Sequence, residues 1–332
     1  MYLGHFGLER EPFSLAPDPG FLFFTTKHRE ALAGLLFAVT GRKGFLVLTG
    51  EAGTGKTTLV RKLLQSIPVA CAQFSVIVNP ALNSSEFLEY VLMDFGVSDI
   101  PSSKALRLSV FKKLLIKTHR EGKTSVLVVD EAHVLTTELL EEIRLLSNFE
   151  MSDQKLLLVI LVGQNELNGL LEQSSLAQLK QRIAVRLQID PLDEQEVRRY
   201  LQMRWSRAGA ARPLPLSEGA VELIVRYSRG IPRVVNVICD AALTNAYGTG
   251  VINVGAREIQ EVATDLRIAA QGSTSPAAPI SANGKGASPD SQYATPLKSP
   301  ELMGPPTVIF KSLERYMPHN AKRPRLFRWP KW

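Results

Sequence analysis

One short segment of the chain has residue types and spacing suited to holding phosphate. Gly50-Glu51-Ala52-Gly53-Thr54-Gly55-Lys56-Thr57 matches G-x-x-x-x-G-K-[ST] at every position. Its glycines let the backbone curl until successive N–H groups point inward, making a cradle for a β-phosphate. Lys56 can reach the β- and γ-phosphates of ATP. The Thr57 hydroxyl is a hard oxygen ligand for Mg²⁺, and Thr58 continues into the helix that follows. Further along stands Val128-Val129-Asp130-Glu131-Ala132-His133. A carboxylate at the tip of that apolar run faces the phosphate loop, so Asp130 can hold Mg²⁺ through water. Glu131 is placed to orient or deprotonate an attacking water. His133 fits two readings equally, a sensor of the nucleotide state and an ordinary loop residue.

Four other polar residues join this set. Gln164 follows the apolar run Leu156 to Val162 and could hydrogen-bond a γ-phosphate or the attacking water. Arg182 and Arg186 lie at the expected edge of the same domain, where a planar guanidinium could reach a phosphate held by a neighbouring subunit. Arg233, in Gly230-Ile231-Pro232-Arg233, falls in the first turn of a helix. A cation is unfavourable there unless an anion is near, and ATP would be that anion.

The elements that must position these residues alternate. Apolar runs at 44–49, 72–78, 125–130, 156–162 and 183–189 read as strands, with helical spacing at 27–39, 56–67, 85–95, 103–121 and 137–148. Thr26 is available as an N-cap, and Asn83 with Glu86 form a capping box. Continuous apolar strands separated by helices imply a parallel sheet covered on both faces. After Pro191 the pattern is helical only, opened by Asp193 with Glu196, by Ser217 and by Pro232. The expected organisation is an α/β domain over 1–190, with residues 1–30 as its opening segment. A small helical lid follows over 191–270, and a tail over 271–332.

Composition excludes several classes. Two cysteines among 332 residues provide no disulfide framework and no cysteine-rich zinc site. No apolar stretch approaches the roughly 20 residues that span a bilayer. No signal peptide is read, and the expected location is the cytoplasm. The basic charge is concentrated: nine Lys/Arg against three acids give residues 271–332 a charge of +6 out of +7. Ten of the 20 prolines are also there, and the tail is expected to be disordered alone. Its last residues, Lys322 to Trp332, interleave five basic residues with Leu326, Phe327, Trp329 and Trp332. That composition suits weak contact with an anionic membrane, contact with single-stranded nucleic acid, or a solvated tail.

Taken in order, GEAGTGKT, VLVVDEAH, LVGQ, LKQRI and SRGIPR resemble an AAA+ P-loop ATPase over about residues 1–268. The opening is similar to the general-secretion-pathway A (ExeA-type) ATPases, through Tyr2, Phe6-Gly7-Leu8, Pro12-Phe13, Pro17-Asp18-Pro19 and His28 to Leu32. The resemblance implies a five-stranded parallel sheet, ATP and Mg²⁺, with Walker A at Gly50 to Thr57 and Walker B at Asp130 and Glu131. It also implies sensor 1 at Gln164, an arginine finger at Arg182 and sensor 2 at Arg233. It further implies a homo-oligomeric ring or filament, serving secretion, pilus or exopolysaccharide assembly at the inner face of the inner membrane. Secretion members often continue into a transmembrane helix and a peptidoglycan-binding domain, and neither is read here. The DEAH-bearing domain also resembles origin-recognition and transposition ATPases, so a DNA-associated ATPase is the alternative.

Overall fold

The protein is described by a computed structural model covering residues 2–16, 18–21, 23–78, 82–151 and 154–268. The basic tail and its expected disorder lie outside the described residues. Among those residues, no helix is long and apolar enough to cross a membrane.

The chain opens with a single helical turn, α1 (Leu3–Phe6), and then α2 (Thr26–Gly41) leads into strand β1 (Phe45–Gly50). Helix α3 (Lys56–Ser66), strand β2 (Ala72–Ile77), helices α4 (Ser84–Asp94) and α5 (Lys104–Arg120) and strand β3 (Thr124–Val129) follow. Beyond α6 (Thr137–Leu146) comes a small antiparallel ribbon, β4 (Glu150–Met151) with β5 (Gln154–Lys155). Strand β6 (Leu157–Gly163), the short helices α7 (Glu166–Leu171) and α8 (Ala177–Lys180) and strand β7 (Ile183–Ile189) complete the α/β part. The ribbon and the two short helices are additions to the sequence reading, since segments of two to six residues are too short to show a period.

The five main strands are all parallel, in the order β2-β3-β6-β1-β7. Side chains alternate between the two faces of a strand, and here both faces are covered. Phe45 and Val47 of β1 join Ile77, Phe87, Leu92 and Phe111 on the face covered by α4, α5 and α6. Leu46 and Leu48 join Leu35, Leu59 and Leu63 under α2 and α3. Every residue of β1, β3 and β6 is therefore buried, whereas the edge strand β7 alternates between exposed and half-buried positions until Ile189.

After β7 the chain is helical: α9 (Glu194–Arg207), α10 (Glu218–Ser228), α11 (Pro232–Thr249) and α12 (Ala256–Asp265). Capping boxes at Asn83–Glu86 and Asp193–Glu196 are formed as their spacing predicts. Two expectations are corrected. The N-cap of α2 is Thr25 rather than Thr26, because the Thr25 hydroxyl accepts from the His28 amide at 3.2 Å. Residues 1–30, assigned by sequence to the α/β domain, divide their packing. Tyr2, Phe6, Leu8 and Phe13 are buried with Val197, Leu201, Trp205 and Leu243 in the core of the C-terminal helices. The backbone amides of Glu9 and Arg10 donate to the Ala208 carbonyl, and the Tyr2 hydroxyl donates to Asp240 at 2.6 Å. The reason is partnership: four large apolar side chains on a short segment need a nearby apolar face, and the helical bundle supplies one.

Candidate nucleotide site

The sheet order assembles the site. Strands β3, β6 and β1 are adjacent, and parallel pairing puts all their C-terminal ends on one side. Thr49 pairs with Gly163 and Val129 with Leu161, so the phosphate loop, the acidic pair and Gln164 leave the sheet side by side. Residues far apart in sequence meet at this edge, as expected where ligands bind beyond the carboxyl ends of parallel strands.

The phosphate loop needs its glycines for two different reasons. Gly50 runs against the backbone of β7, and a Cβ there would collide with the Ile189 carbonyl. Gly53 has φ +83°, and a Cβ on it would meet Arg233 Cβ at 2.6 Å. The loop closes on the start of α3. Lys56 is buried, and its ammonium donates to the Gly50 and Glu51 carbonyls at 2.9 Å each. Burial pulls the Lys56 pKa down, while Glu131, Asp130, Glu166 and Glu51 oppose that shift. This density of carboxylates keeps a buried cation tolerable.

The Thr57 hydroxyl donates to Asp130 Oδ2 at 2.8 Å. The other Asp130 oxygen accepts from the Glu131 amide at 2.9 Å, which fixes the carboxylate plane. Asp130 is buried. Two hard oxygens this close, one anionic, suit a small divalent cation that keeps several waters. Glu131 has φ +53°, a left-handed conformation that costs a non-glycine residue about 1–3 kcal/mol and that tends to persist at functional positions. Its side chain remains half exposed and turns toward His133, with 3.4 Å between Oε2 and Nδ1. His133 Nε2 lies 3.1 Å from the Gln164 amide nitrogen. The Gln164 backbone N–H also donates to Nδ1 at 3.4 Å, so the ring meets both the backbone and the side chain of Gln164 beside the Glu131 carboxylate.

The arginines are placed differently. Arg233 caps the front of the site: its backbone N–H donates to the Gly53 carbonyl at 3.3 Å, and its side chain is exposed. Arg182 precedes β7, at the opposite end of the sheet, and hydrogen-bonds Ser147 and Asn148 beyond α6. Arg186 lies in the middle of β7, across from Val47 and 3.9 Å from Glu172. Neither Arg182 nor Arg186 is brought to the phosphate loop of its own chain.

Two contributors escaped the sequence reading. Glu166, in the first turn of α7, adds its charge to the field at Lys56. His28 is buried and its Nε2 lies 3.2 Å from the carbonyl of Thr54 in the phosphate loop. His28 was legible only as part of the opening signature, since nothing in its spacing points to a loop 26 residues away.

Residues 39–171 match the AAA domain family. Over 251 residues, 75% of this chain, the sequence is 40% identical to general secretion pathway protein A of Aeromonas hydrophila. The chain spans 46% of that relative's length. The fold is similar to the Aeropyrum pernix ORC2 protein in ADPNP–ADP complexes, with TM-score 0.59 and 17% identity over 77% of this chain and 71% of that one. It is also similar to Cdc6p from Pyrobaculum aerophilum, at TM-score 0.58 and 19% identity over 76% and 70%. Drosophila ORC bound to DNA aligns with TM-score 0.56 and 18% identity over 78% and 67%. A complete phosphate loop, an acidic pair on the neighbouring strand and these likenesses make the chain an AAA+ P-loop protein related to general secretion pathway protein A.

Proposed function

We propose that the protein binds ATP with Mg²⁺ and hydrolyses it at an interface between copies of the chain. The energy released drives assembly or remodelling in a bacterial envelope system for secretion, pilus or exopolysaccharide export. The observation that carries the reading is the 2.8 Å contact of Thr57 with Asp130, beside buried Lys56 and half-exposed Glu131. Thr57 and Asp130 would hold Mg²⁺, which when bound neutralises charge between the β- and γ-phosphates.

Each side chain then has a task. Lys56 exchanges its two carbonyl acceptors for phosphate oxygens, and Gly53 to Thr57 supply inward N–H groups. Glu131 takes a proton from a water whose oxygen attacks the γ-phosphorus; the β–γ bridging P–O bond breaks, and ADP and phosphate leave. Gln164 orients that water, and its link through His133 to Glu131 keeps the two groups in register. Arg233 extends from the helical lid of residues 191–270 toward the phosphates. Arg182 of one copy reaches the γ-phosphate held by the next. Its position supports this role, because it stands roughly 20 Å along the sheet from its own loop, at about 3.3 Å per residue between Ile183 and Ile189. The enzyme works in the cytoplasm or at the inner face of the inner membrane, where the basic aromatic tail can meet anionic lipid.

Phosphate release is the test. The protein should turn over ATP with Mg²⁺, and Lys56→Ala should abolish binding. A wild-type chain that binds no nucleotide would refute the reading. Turnover that rises several-fold with duplex DNA, as the fold shared with origin-recognition proteins would allow, would replace the envelope role with a DNA-associated one.

A further inference from the structure

We infer that His28 is a positioning residue for the phosphate loop, aiming the Gly55 N–H into the phosphate cradle from outside the site. The inference rests on the nucleotide-binding reading above. The imidazole is 2% exposed, and both ring nitrogens are engaged. Nδ1 lies 2.8 Å from the Thr25 hydroxyl, and Nε2 lies 3.2 Å from the Thr54 carbonyl. One tautomer satisfies both contacts: the Thr25 hydroxyl donates to Nδ1, and Nε2–H donates to Thr54. Burial lowers the imidazole pKa and so favours this neutral form.

The geometry of the peptide bond carries the consequence. The Thr54 carbonyl and the Gly55 N–H belong to one trans peptide plane and point in opposite directions. A donor that holds the carbonyl outward therefore turns the N–H inward, toward the space a phosphate would occupy. Gly55 has φ +101°, a conformation with no side-chain packing to fix it, so the plane needs an external hold. His28 is itself fixed, because its own backbone N–H donates to Thr25 at 3.2 Å in the cap of α2. The turn before that cap, Pro19–Phe21, lies against α3, the helix that the phosphate loop opens.

Glutamine and asparagine separate the two halves of the ring. A glutamine amide extends to the Nε2 position and can still donate to Thr54, whereas asparagine reaches only the Nδ1 position. Titration with fluorescent ADP and Mg²⁺, alongside unfolding midpoints without nucleotide, reads the difference. His28→Asn should raise the Kd about tenfold, and His28→Gln should return it to within about threefold of the wild type, as one lost hydrogen bond predicts. At saturating ATP, kcat should stay within about twofold in both. Equal nucleotide affinity in wild type and His28→Asn would overturn the inference. So would equal loss in both variants that follows their unfolding midpoints, since that would mark a role in packing alone. A wild-type chain with no affinity for ADP would instead overturn the nucleotide reading on which it rests.

Discussion

The two ends of the sheet carry opposite kinds of chemistry. At the C-terminal ends of β1, β3 and β6 the functional groups are buried or half-buried and already paired. Lys56 sits on loop carbonyls, Thr57 on Asp130, and Glu131 beside His133. At the opposite end, Arg182 hydrogen-bonds Ser147 and Asn148 at the end of α6, and Arg186 is on an exposed edge strand. The first end gathers its groups within one chain. The second holds guanidinium groups away from that chain's own phosphate loop, which is what the proposed action between copies requires.

The largest expected effect breaks this comparison at its exposed end. Under the proposed role between copies, Arg182→Ala should lower kcat by roughly 10³–10⁵, the range typical of arginine fingers, while leaving ATP binding intact. Mixing Arg182→Ala with Lys56→Ala chains should restore part of the activity, since interfaces then form that hold both an intact loop and an intact arginine. Absence of restoration in chains that assemble normally would remove the action between copies.

Glu131→Gln comes next and tests the paired end. Loss of the base should lower kcat by about 10²–10⁴ with nucleotide affinity kept, measured by single-turnover phosphate release. Unchanged turnover would exclude Glu131 as the base.

A third test concerns the start of the opening segment, whose buried aromatic residues pack in the core of the C-terminal helices. Phe13 is 1% exposed in the helical core, and Phe13→Ala should destabilise the fold by about 3–5 kcal/mol in urea unfolding. A loss below about 1 kcal/mol would show that the segment is only laid over the helices.

The smallest effect is a slope with pH. The folded His28 binds its proton less readily than an unfolded histidine, so the unfolded chain holds more protons just below the ordinary imidazole value of about 6.5. The contribution of neutral His28 to stability is therefore present above that value and lost as pH falls through the window to its depressed folded pKa. Between pH 7 and pH 5, wild type should lose unfolding free energy more steeply than His28→Gln. Parallel slopes would count against a neutral, buried imidazole.

The amino-acid sequence by itself determined the phosphate loop, the acidic pair and the alternation of strand and helix. These are local signals: a loop motif is contiguous, and periods of 2 and 3.6 show in a few turns. It also singled out Gln164, just past an apolar run, and Arg233, in the first turn of a helix that Pro232 opens. Tertiary structure alone decided the sheet order β2-β3-β6-β1-β7, which makes neighbours of Gly50, Asp130 and Gln164. It alone gave His133 its two partners, put His28 behind Thr54 and sent Phe13 to the helical core. The physical reason is common to all of these. An apolar pattern records that a face will be buried but not against which partner, and a polar residue records that it can donate or accept but not to which distant backbone.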